Sequence, residues 1–157
     1  MNIAPITLNT RPSAIDFIRA HWFSTLMAVH GELIDLAKLD GFTACEQTDI
    51  VGLITYRITG KICEIMSLDS IHEHAGTGSA LLNAAIAAAE KVSCEKITLI
   101  TTNDNLNAIG FYQKRGFDMA HFYRDAVEAA RNLKPEIPLI GDNGIPLRHE
   151  IEFERIL

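Results

Sequence analysis

The chain has little cysteine, and its three thiols, Cys45, Cys63 and Cys94, lie 18 and 31 residues apart. No CxxC pair occurs, so the sequence predicts neither a zinc site of that type nor a disulfide framework. A sparse and odd number of cysteines is typical of free thiols in a reducing compartment. Because Cys63 lies on a predicted strand and the sequence pairs no base with it, no thiol nucleophile is predicted.

Long apolar runs are also missing. The richest apolar stretch covers residues 79–89 and is interrupted by Asn83, whereas a membrane span needs roughly 20 apolar residues. The first residues lack the basic and apolar segments of a secretory signal. We therefore expect a cytoplasmic protein with no membrane partner.

Positive charge is in deficit, since 14 Lys and Arg face 20 Asp and Glu, for a net charge of −6. A nonspecific nucleic-acid binder needs clustered Lys and Arg, so no nucleic-acid partner is predicted. A length of 157 residues with 48% apolar and 22% charged residues is typical of one globular domain. We predict a single domain over residues 1–157. The composition is compatible with a homodimer of this domain and does not determine the oligomeric state.

The first half of the chain predicts a meander of short strands after one helix. A strand is expected at residues 3–8, and a helix begins near Arg11, with Ile15, Ile18 and Trp22 at helical spacing. Residues 24–40 fit either a helix or two strand fragments around Gly31. Three β-rich runs separated by hairpin turns follow, at residues 42–46, 50–58 and 62–68.

The second half alternates helices with strands. Helices are predicted at residues 79–91, 106–114 and 126–133, and strands at residues 97–101 and 117–123. In the closing segment Glu150, Glu152 and Glu154 alternate with apolar residues, which predicts a half-buried strand with an acidic, solvated outer face. The predicted fold class is α/β of the α+β type, with a mixed, mostly antiparallel sheet flanked by helices.

A glycine-rich loop joins the third β-rich run to the alanine-rich helix, and it reads Ala75-Gly76-Thr77-Gly78-Ser79. Backbone N–H groups and the positive end of the helix dipole meet at such a loop and form an anion site. A plain tight turn, with Thr77 or Ser79 capping the helix, explains the loop equally well. The full GxGxxG fingerprint and a P-loop lysine are absent.

A second segment follows the strand at residues 97–101, with the pattern Asn105-x-x-Ala108-x-x-x-Tyr112-x-x-x-Gly116-Phe117. Together with the glycine loop it closely resembles the two signature segments of the GNAT superfamily of N-acetyltransferases, over residues 51–117. The resemblance implies a GNAT-like domain in which the strands at residues 62–68 and 97–101 splay to open an acyl-CoA cleft.

The resemblance also implies where acetyl-CoA, the co-substrate, binds. Its pantetheine amides would pair with the backbone of Leu68, Asp69 and Ser70. Its pyrophosphate would rest on the loop amides of His74, Ala75, Gly76, Thr77, Gly78 and Ser79. The remaining contacts would come from Asn105, Ala108, Phe111 and Tyr112. Glu73 stands where the family usually has Gln or Arg. Alternate residues of a loop, such as those of the His72-Glu73-His74 run, rarely close a three-ligand shell, so no metal is predicted.

Two catalytic groups are expected. Tyr112 matches the family's tyrosine that faces the thioester sulfur, and a phenol of pKa about 10 can protonate a departing thiolate of pKa about 8.5. An ordinary core tyrosine is the structural alternative. Glu64 is the candidate general base for the amine. A solvated strand glutamate is its alternative, and Asp69, Ser67 or a water chain are the other candidates for the base.

The function predicted from these features is that of an enzyme, an N-acetyltransferase that moves an acetyl group from acetyl-CoA to a primary amine in a ternary complex. The departure at Glu73 keeps a second hypothesis open, a catalytically silent acyl-CoA-binding module. A third, an unrelated phosphate-binding α/β domain, requires the Asn105–Phe117 match to be a coincidence.

Overall fold

The computed structural model describes residues 1–72 and 75–157, so the predictions made for Glu73 and His74 lie outside the described residues. In chain order the helices and strands are β1 (Asn2–Pro5), α1 (Arg11–Trp22), β2 (Leu26–Val29), β3 (Glu32–Asp35), β4 (Asp40–Glu46), β5 (Asp49–Thr59), β6 (Ile62–Ser70), α2 (Thr77–Lys91), β7 (Lys96–Thr102), α3 (Leu106–Gln113), β8 (Asp118–Tyr123), α4 (Ala126–Leu133) and β9 (Glu150–Ile156). None of these helices is long and apolar enough to cross a membrane.

Contacts within the chain define two compact units. The first comprises Met1–Leu26, Asp35–Ile97 and Leu157, and the second comprises Met27–Ile34 and Thr98–Ile156. That residues 1–157 form a single domain stays a prediction.

Most predicted elements are confirmed, with shifts of one to three residues at their ends. The ambiguous stretch at residues 24–40 is a β-hairpin of β2 and β3 followed by a short 3₁₀ turn at Leu36–Lys38. The hairpin turns at His30 and Gly31, both of which have positive φ. β1 stops at Pro5 because Thr7 and Thr10 form a hydrogen-bonded turn before α1. The fold class is α+β, as predicted.

The first unit contains an antiparallel sheet in the order β1-β4-β5-β6. Its core includes the fully buried Ile18, Leu53, Ile54 and Leu81. Both α1 and α2 pack against β5. Gly52 permits the close approach of α2, because a Cβ there would lie 2.8 Å from the Thr77 side chain. This packing fixes the start of α2 beside the end of β6, since Gly52 pairs with Ser70.

A β-bulge divides β6 into two halves. Thr55 pairs with Ser67 and Tyr56 pairs with Ile65, so Met66 is the extra residue on β6. Directly opposed residues of an antiparallel pair point to the same face, and a bulge reverses the alternation beyond it. Glu64 therefore lies on the same face as two residues beyond the bulge, Ser67 and Asp69. This face is the one opposite to α2, because Gly52 and its partner Ser70 lie on the α2 face.

The second unit contains strands in the order β7-β9-β8, and most of β7 belongs to it. β8 and β9 are antiparallel, and α3 packs against β8. The core of this unit includes the buried side chains of Phe117, Val127, Leu147 and Phe153.

The prediction of an acidic, solvated face on β9 is wrong for Glu150. Only 2% of this residue is exposed, and its two carboxylate oxygens both accept the backbone N–H of His30 at 3.1 Å. The turn between β2 and β3 covers the start of β9, which the ambiguous pattern of residues 24–40 could not indicate. Glu152 and Glu154 are half-buried.

Candidate active site

The end of β6 carries three residues of the predicted cofactor site. Leu68, Asp69 and Ser70 are half-buried and pair in register with Ile54, Leu53 and Gly52 of β5. The backbone continues this pairing one step further, since the Ile71 N–H donates to the Val51 carbonyl at 2.9 Å. The chain then enters the glycine loop.

Gly76 is the residue that caps the N-terminus of α2. It has a φ of +81°, and apart from its chain neighbours no atom of residues 1–72 and 75–157 lies within 4 Å of a Cβ added there. Ala75 is exposed beside it. The helix begins at Thr77, which corrects the expectation that Thr77 or Ser79 caps it. Thr77 is instead buried, with its hydroxyl donating to the Met1 sulfur at 3.4 Å. A helix N-terminus capped by a glycine suits an anionic ligand, because it presents backbone N–H groups with no Cβ beside them.

Asn105 begins the second predicted segment as the N-cap of α3. Its side-chain oxygen accepts the backbone N–H of Ala108 at 3.0 Å. The sequence interpretation missed this capping role, although Asn before a helical run is a known N-cap signal. With Oδ1 engaged, the side-chain NH₂ is the part of Asn105 that could donate to a cofactor.

Tyr112 is 6% exposed and lies in an aromatic cluster. Its ring centroid is 5.0 Å from that of Phe111, 5.4 Å from that of Phe117 and 6.3 Å from that of Phe153. The Arg115 guanidinium covers the Phe111 ring at 3.6 Å, so one face of this predicted cofactor contact is already occupied. The packing holds the Tyr112 ring in one orientation, which suits both a core tyrosine and a positioned proton donor.

Glu64 has a partner that the sequence did not reveal. The Nε–H of Arg57, directly opposite on β5, donates to the Glu64 carboxylate at 2.9 Å. Both side chains are partly exposed. The neighbours Cys63 and Ile65 are buried, so the expected alternation of facing is confirmed. Whether Glu64 is the base stays a prediction.

The other candidate bases on β6 are also engaged. The Ser67 and Thr55 hydroxyl groups share a buried hydrogen bond of 2.6 Å. The indole N–H of Trp22, the last residue of α1, donates to the Asp69 carboxylate at 2.8 Å. Burial raises the pKa of Asp69, and this effect is opposed by the Trp22 hydrogen bond and by the electrostatic interaction with His21. No local pattern in the sequence indicates the pairing, apart from the polar end that any tryptophan carries.

A polar network precedes Asn105 and was missed entirely. The Asp104 carboxylate is buried and accepts the Thr102 hydroxyl at 2.5 Å and the Asp142 N–H at 2.8 Å. The Asn103 oxygen accepts the N–H groups of Arg148 and His149. These bonds attach the segment before α3 to the chain at residues 142–149. The sequence signal that could have indicated this network is the run of polar residues 102–105, which follows the buried strand.

Two features of the described residues concern a thiol nucleophile and a metal site, neither of which the sequence predicts. Burial raises the pKa of the Cys63 thiol to about 12, so this thiol stays protonated near neutral pH. Within residues 1–72 and 75–157 there is no group of three His, Cys, Asp or Glu side chains arranged to hold a metal ion.

Comparison with known proteins places the chain in a family that agrees with the resemblance of its two signature segments. The model of the acetyltransferase (GNAT) family matches residues 11–117. The chain is 49% identical over 143 residues to the uncharacterized protein YdhI of Bacillus subtilis, covering 90% of this chain and 89% of that protein.

Solved structures show the same fold. The IAA acetyltransferase from Bacillus cereus is 21% identical, with a TM-score of 0.74 and 99% of each chain covered. A GNAT family acetyltransferase from Elizabethkingia anophelis with acetyl-CoA bound is 19% identical, with a TM-score of 0.71, covering 99% of this chain and 97% of that one. The family match spans both signature segments. The chain therefore belongs to the acetyltransferase (GNAT) family and is an acyltransferase.

Proposed function

We propose that the protein transfers the acetyl group of acetyl-CoA to a primary amine by direct attack, with both substrates bound at once. The acceptor is a small-molecule amine or an amine of a peptide or protein. The observation that carries the proposal is the start of α2 capped by Gly76, where none of the described residues beyond its chain neighbours would meet an added Cβ within 4 Å, within a chain of the GNAT family.

Three segments of the chain are proposed to contact the cofactor. The backbone of Leu68, Asp69 and Ser70 would pair with the pantetheine amides. The loop amides from Ala75 to Ser79 would hold the pyrophosphate, aided by the dipole of α2. The Asn105 NH₂ would donate to the cofactor arm, beside Ala108 and Phe111.

The chemistry requires one group that takes a proton from the ammonium form of the acceptor and one that gives a proton to the leaving sulfur. Tyr112 is proposed for the second role, because its ring is held in place by three phenylalanines and a phenol is acidic enough to protonate a thiolate. No covalent acetyl-enzyme is needed, in keeping with the protonated thiol of Cys63.

A panel of amines tests the proposal. Acetyl-CoA is mixed with the protein and polyamines, amino acids, amino sugars or peptides with free α- and ε-amines, and free CoA thiol is measured. We expect at least one amine class to release thiol well above the rate of hydrolysis. Release at the hydrolysis rate with every amine, together with tight acetyl-CoA binding, would favour the silent acyl-CoA-binding module.

Replacing Gly76 by Val should abolish the rise in melting temperature that acetyl-CoA produces. A ligand that binds only the native state stabilises it by mass action, and a branched side chain at Gly76 would fill the space that the pyrophosphate needs. The measurement is thermal unfolding with and without acetyl-CoA. NAD and ATP should raise the melting temperature much less.

Gly60→Val is the matched control. Gly60 also has a positive φ, +60°, and beyond its chain neighbours no described residue lies within 4 Å of an added Cβ, but it lies in the turn between β5 and β6. Both substitutions carry a similar backbone strain, so both should lower the melting temperature of the free protein. Only Gly60→Val should keep the acetyl-CoA shift, and an equal loss in both variants would contradict the assignment of the loop.

A further inference from the structure

The Asp69 carboxylate and the Trp22 indole form a pair that the proposed contacts with acetyl-CoA do not use. Asp69 is the penultimate residue of β6, and Trp22 is the last residue of α1 and the one tryptophan of the chain. The 2.8 Å hydrogen bond joins residues 47 positions apart in the sequence. It therefore fixes the end of a helix to the end of a strand in the first unit.

The surroundings of this carboxylate differ from those of an ordinary surface acid. Across the strand pair Asp69 faces Leu53, which is fully buried and apolar. Among the residues that the structure describes, the hydrogen bond to the carboxylate comes from the neutral Trp22 indole, and an electrostatic interaction with His21 also lowers the pKa of Asp69. Burial raises the pKa of Asp69, which brings a carboxyl group closer to the range useful for general-base catalysis near neutral pH.

Glu64, the other carboxylate on the same face of β6, has a different environment. Arg57 holds it at 2.9 Å, and protonation of Glu64 would break this ion pair. Glu64 also precedes the bulge at Met66, whereas Asp69 lies beyond it. The proposed function places the pantetheine arm along the backbone of Leu68–Ser70. Asp69 lies within this segment, so its side chain leaves the strand beside the proposed position of that arm.

We propose that Asp69 is the general base of the acetyl transfer and that Trp22 is the positioning residue that holds its carboxylate. This inference rests on the proposed function. The ammonium form of the acceptor loses one proton to Asp69 and thereby gains a lone pair, which attacks the thioester carbonyl carbon. The carbon–sulfur bond breaks, and a second nitrogen proton is lost as the amide forms. Tyr112 gives a proton to the sulfur and regains one, so the products are the amide, CoA thiol and one proton that Asp69 passes to water.

The test compares Asp69→Asn with the parent on an amine that the panel has identified. Asn keeps the shape and can still accept the Trp22 N–H, but it cannot take the proton. General-base assistance is worth about 10²–10⁴-fold, so kcat should fall within that range while the melting-temperature shift with acetyl-CoA persists. The loss should shrink as the pH approaches the pKa of the amine, where the free amine is already abundant. Asp49→Asn, the same change at an exposed position on β5, should retain the parental rate.

Trp22→Phe tests the positioning role. The indole N–H favours the charged carboxylate, so its loss should raise the pKa of Asp69 and move the acidic limb of the kcat/KM profile to higher pH. The rate on the plateau should fall by roughly tenfold, as expected for losing one hydrogen bond to a charged group. A tryptophan that served only packing would leave the acidic limb where it is in the parent.

The outcomes separate the inference from the function on which it rests. If the parent acetylates an amine and Asp69→Asn does so at the parental rate, the assignment of Asp69 is wrong and the proposed function stands. The assignment is equally wrong if Glu64→Gln, rather than Asp69→Asn, shows the loss that high pH restores. If the parent binds acetyl-CoA and acetylates no amine, both proposals fail.

Discussion

Tyr112→Phe is expected to lower kcat by about 10²–10⁴-fold, the usual contribution of a general acid, while acetyl-CoA affinity changes little. The substitution keeps the ring that packs against Phe111, Phe117 and Phe153 and deletes only the hydroxyl group. Steady-state release of CoA thiol with an accepted amine measures kcat, and the thermal shift with acetyl-CoA reports binding.

Two further observations distinguish a proton donor from a core tyrosine. High pH should not restore the activity of Tyr112→Phe, because the missing proton belongs to the leaving group rather than to the amine. Tyr56→Phe, a control on β5 whose ring stacks near Phe42, should keep the parental rate. Parental activity of Tyr112→Phe would show that the hydroxyl donates no proton in the rate-limiting step.

Asp104→Ala should destabilise the protein by about 2–4 kcal/mol, because two partly buried donors lose their buried acceptor and each such loss costs about 1–2 kcal/mol, the lower part of the range for unsatisfied groups. The donors are the Thr102 hydroxyl and the Asp142 N–H. For a chain of this length the melting temperature should fall by roughly 5–15 °C. Calorimetry or circular dichroism of the free protein measures the change.

Asp142→Ala is the control for this prediction. Its side chain is exposed, and the backbone N–H that donates to Asp104 is kept, so the melting temperature should change by no more than a few degrees. A similar loss in the two variants would indicate that the exposed Asp142 carboxylate, and not the buried acceptor, stabilises this loop.

The sequence predicts the elements whose pattern is local. The alanine-rich face of α2 and the alternation in β5 and β6 depend on residues close together in the chain, and their positions are confirmed. Residues 24–40 resisted assignment because the β2–β3 hairpin turns at His30 and Gly31, and a non-glycine residue at positive φ, such as His30, produces no signal in the pattern. Glu150 was misjudged for a related reason, since the group that buries it comes from that hairpin, 120 residues earlier.

The same limit applies to the candidate site. The glycine loop and the Asn105–Phe117 segment are each contiguous in the chain, so both can be recognised in the sequence. The partners of the candidate bases are not contiguous, because Arg57 reaches Glu64 across a strand pair and Trp22 reaches Asp69 from another element. The sequence pattern therefore indicates the carboxylates on β6 but does not indicate which of them is held by a cation and which by a neutral donor.

The extra residue Met66 has a consequence for how this strand tolerates changes in length. Removing Met66 would restore a regular ladder and leave every other residue of β6 opposite the β5 residue that it pairs with now. Because paired residues share a face, Asp69 would still point toward Trp22 after this deletion. An insertion of one residue between Ser67 and Asp69 would instead shift the pairing beyond it and move the Asp69 side chain to the α2 face. A one-codon deletion of Met66 should thus be better tolerated than a one-codon insertion just beyond Ser67.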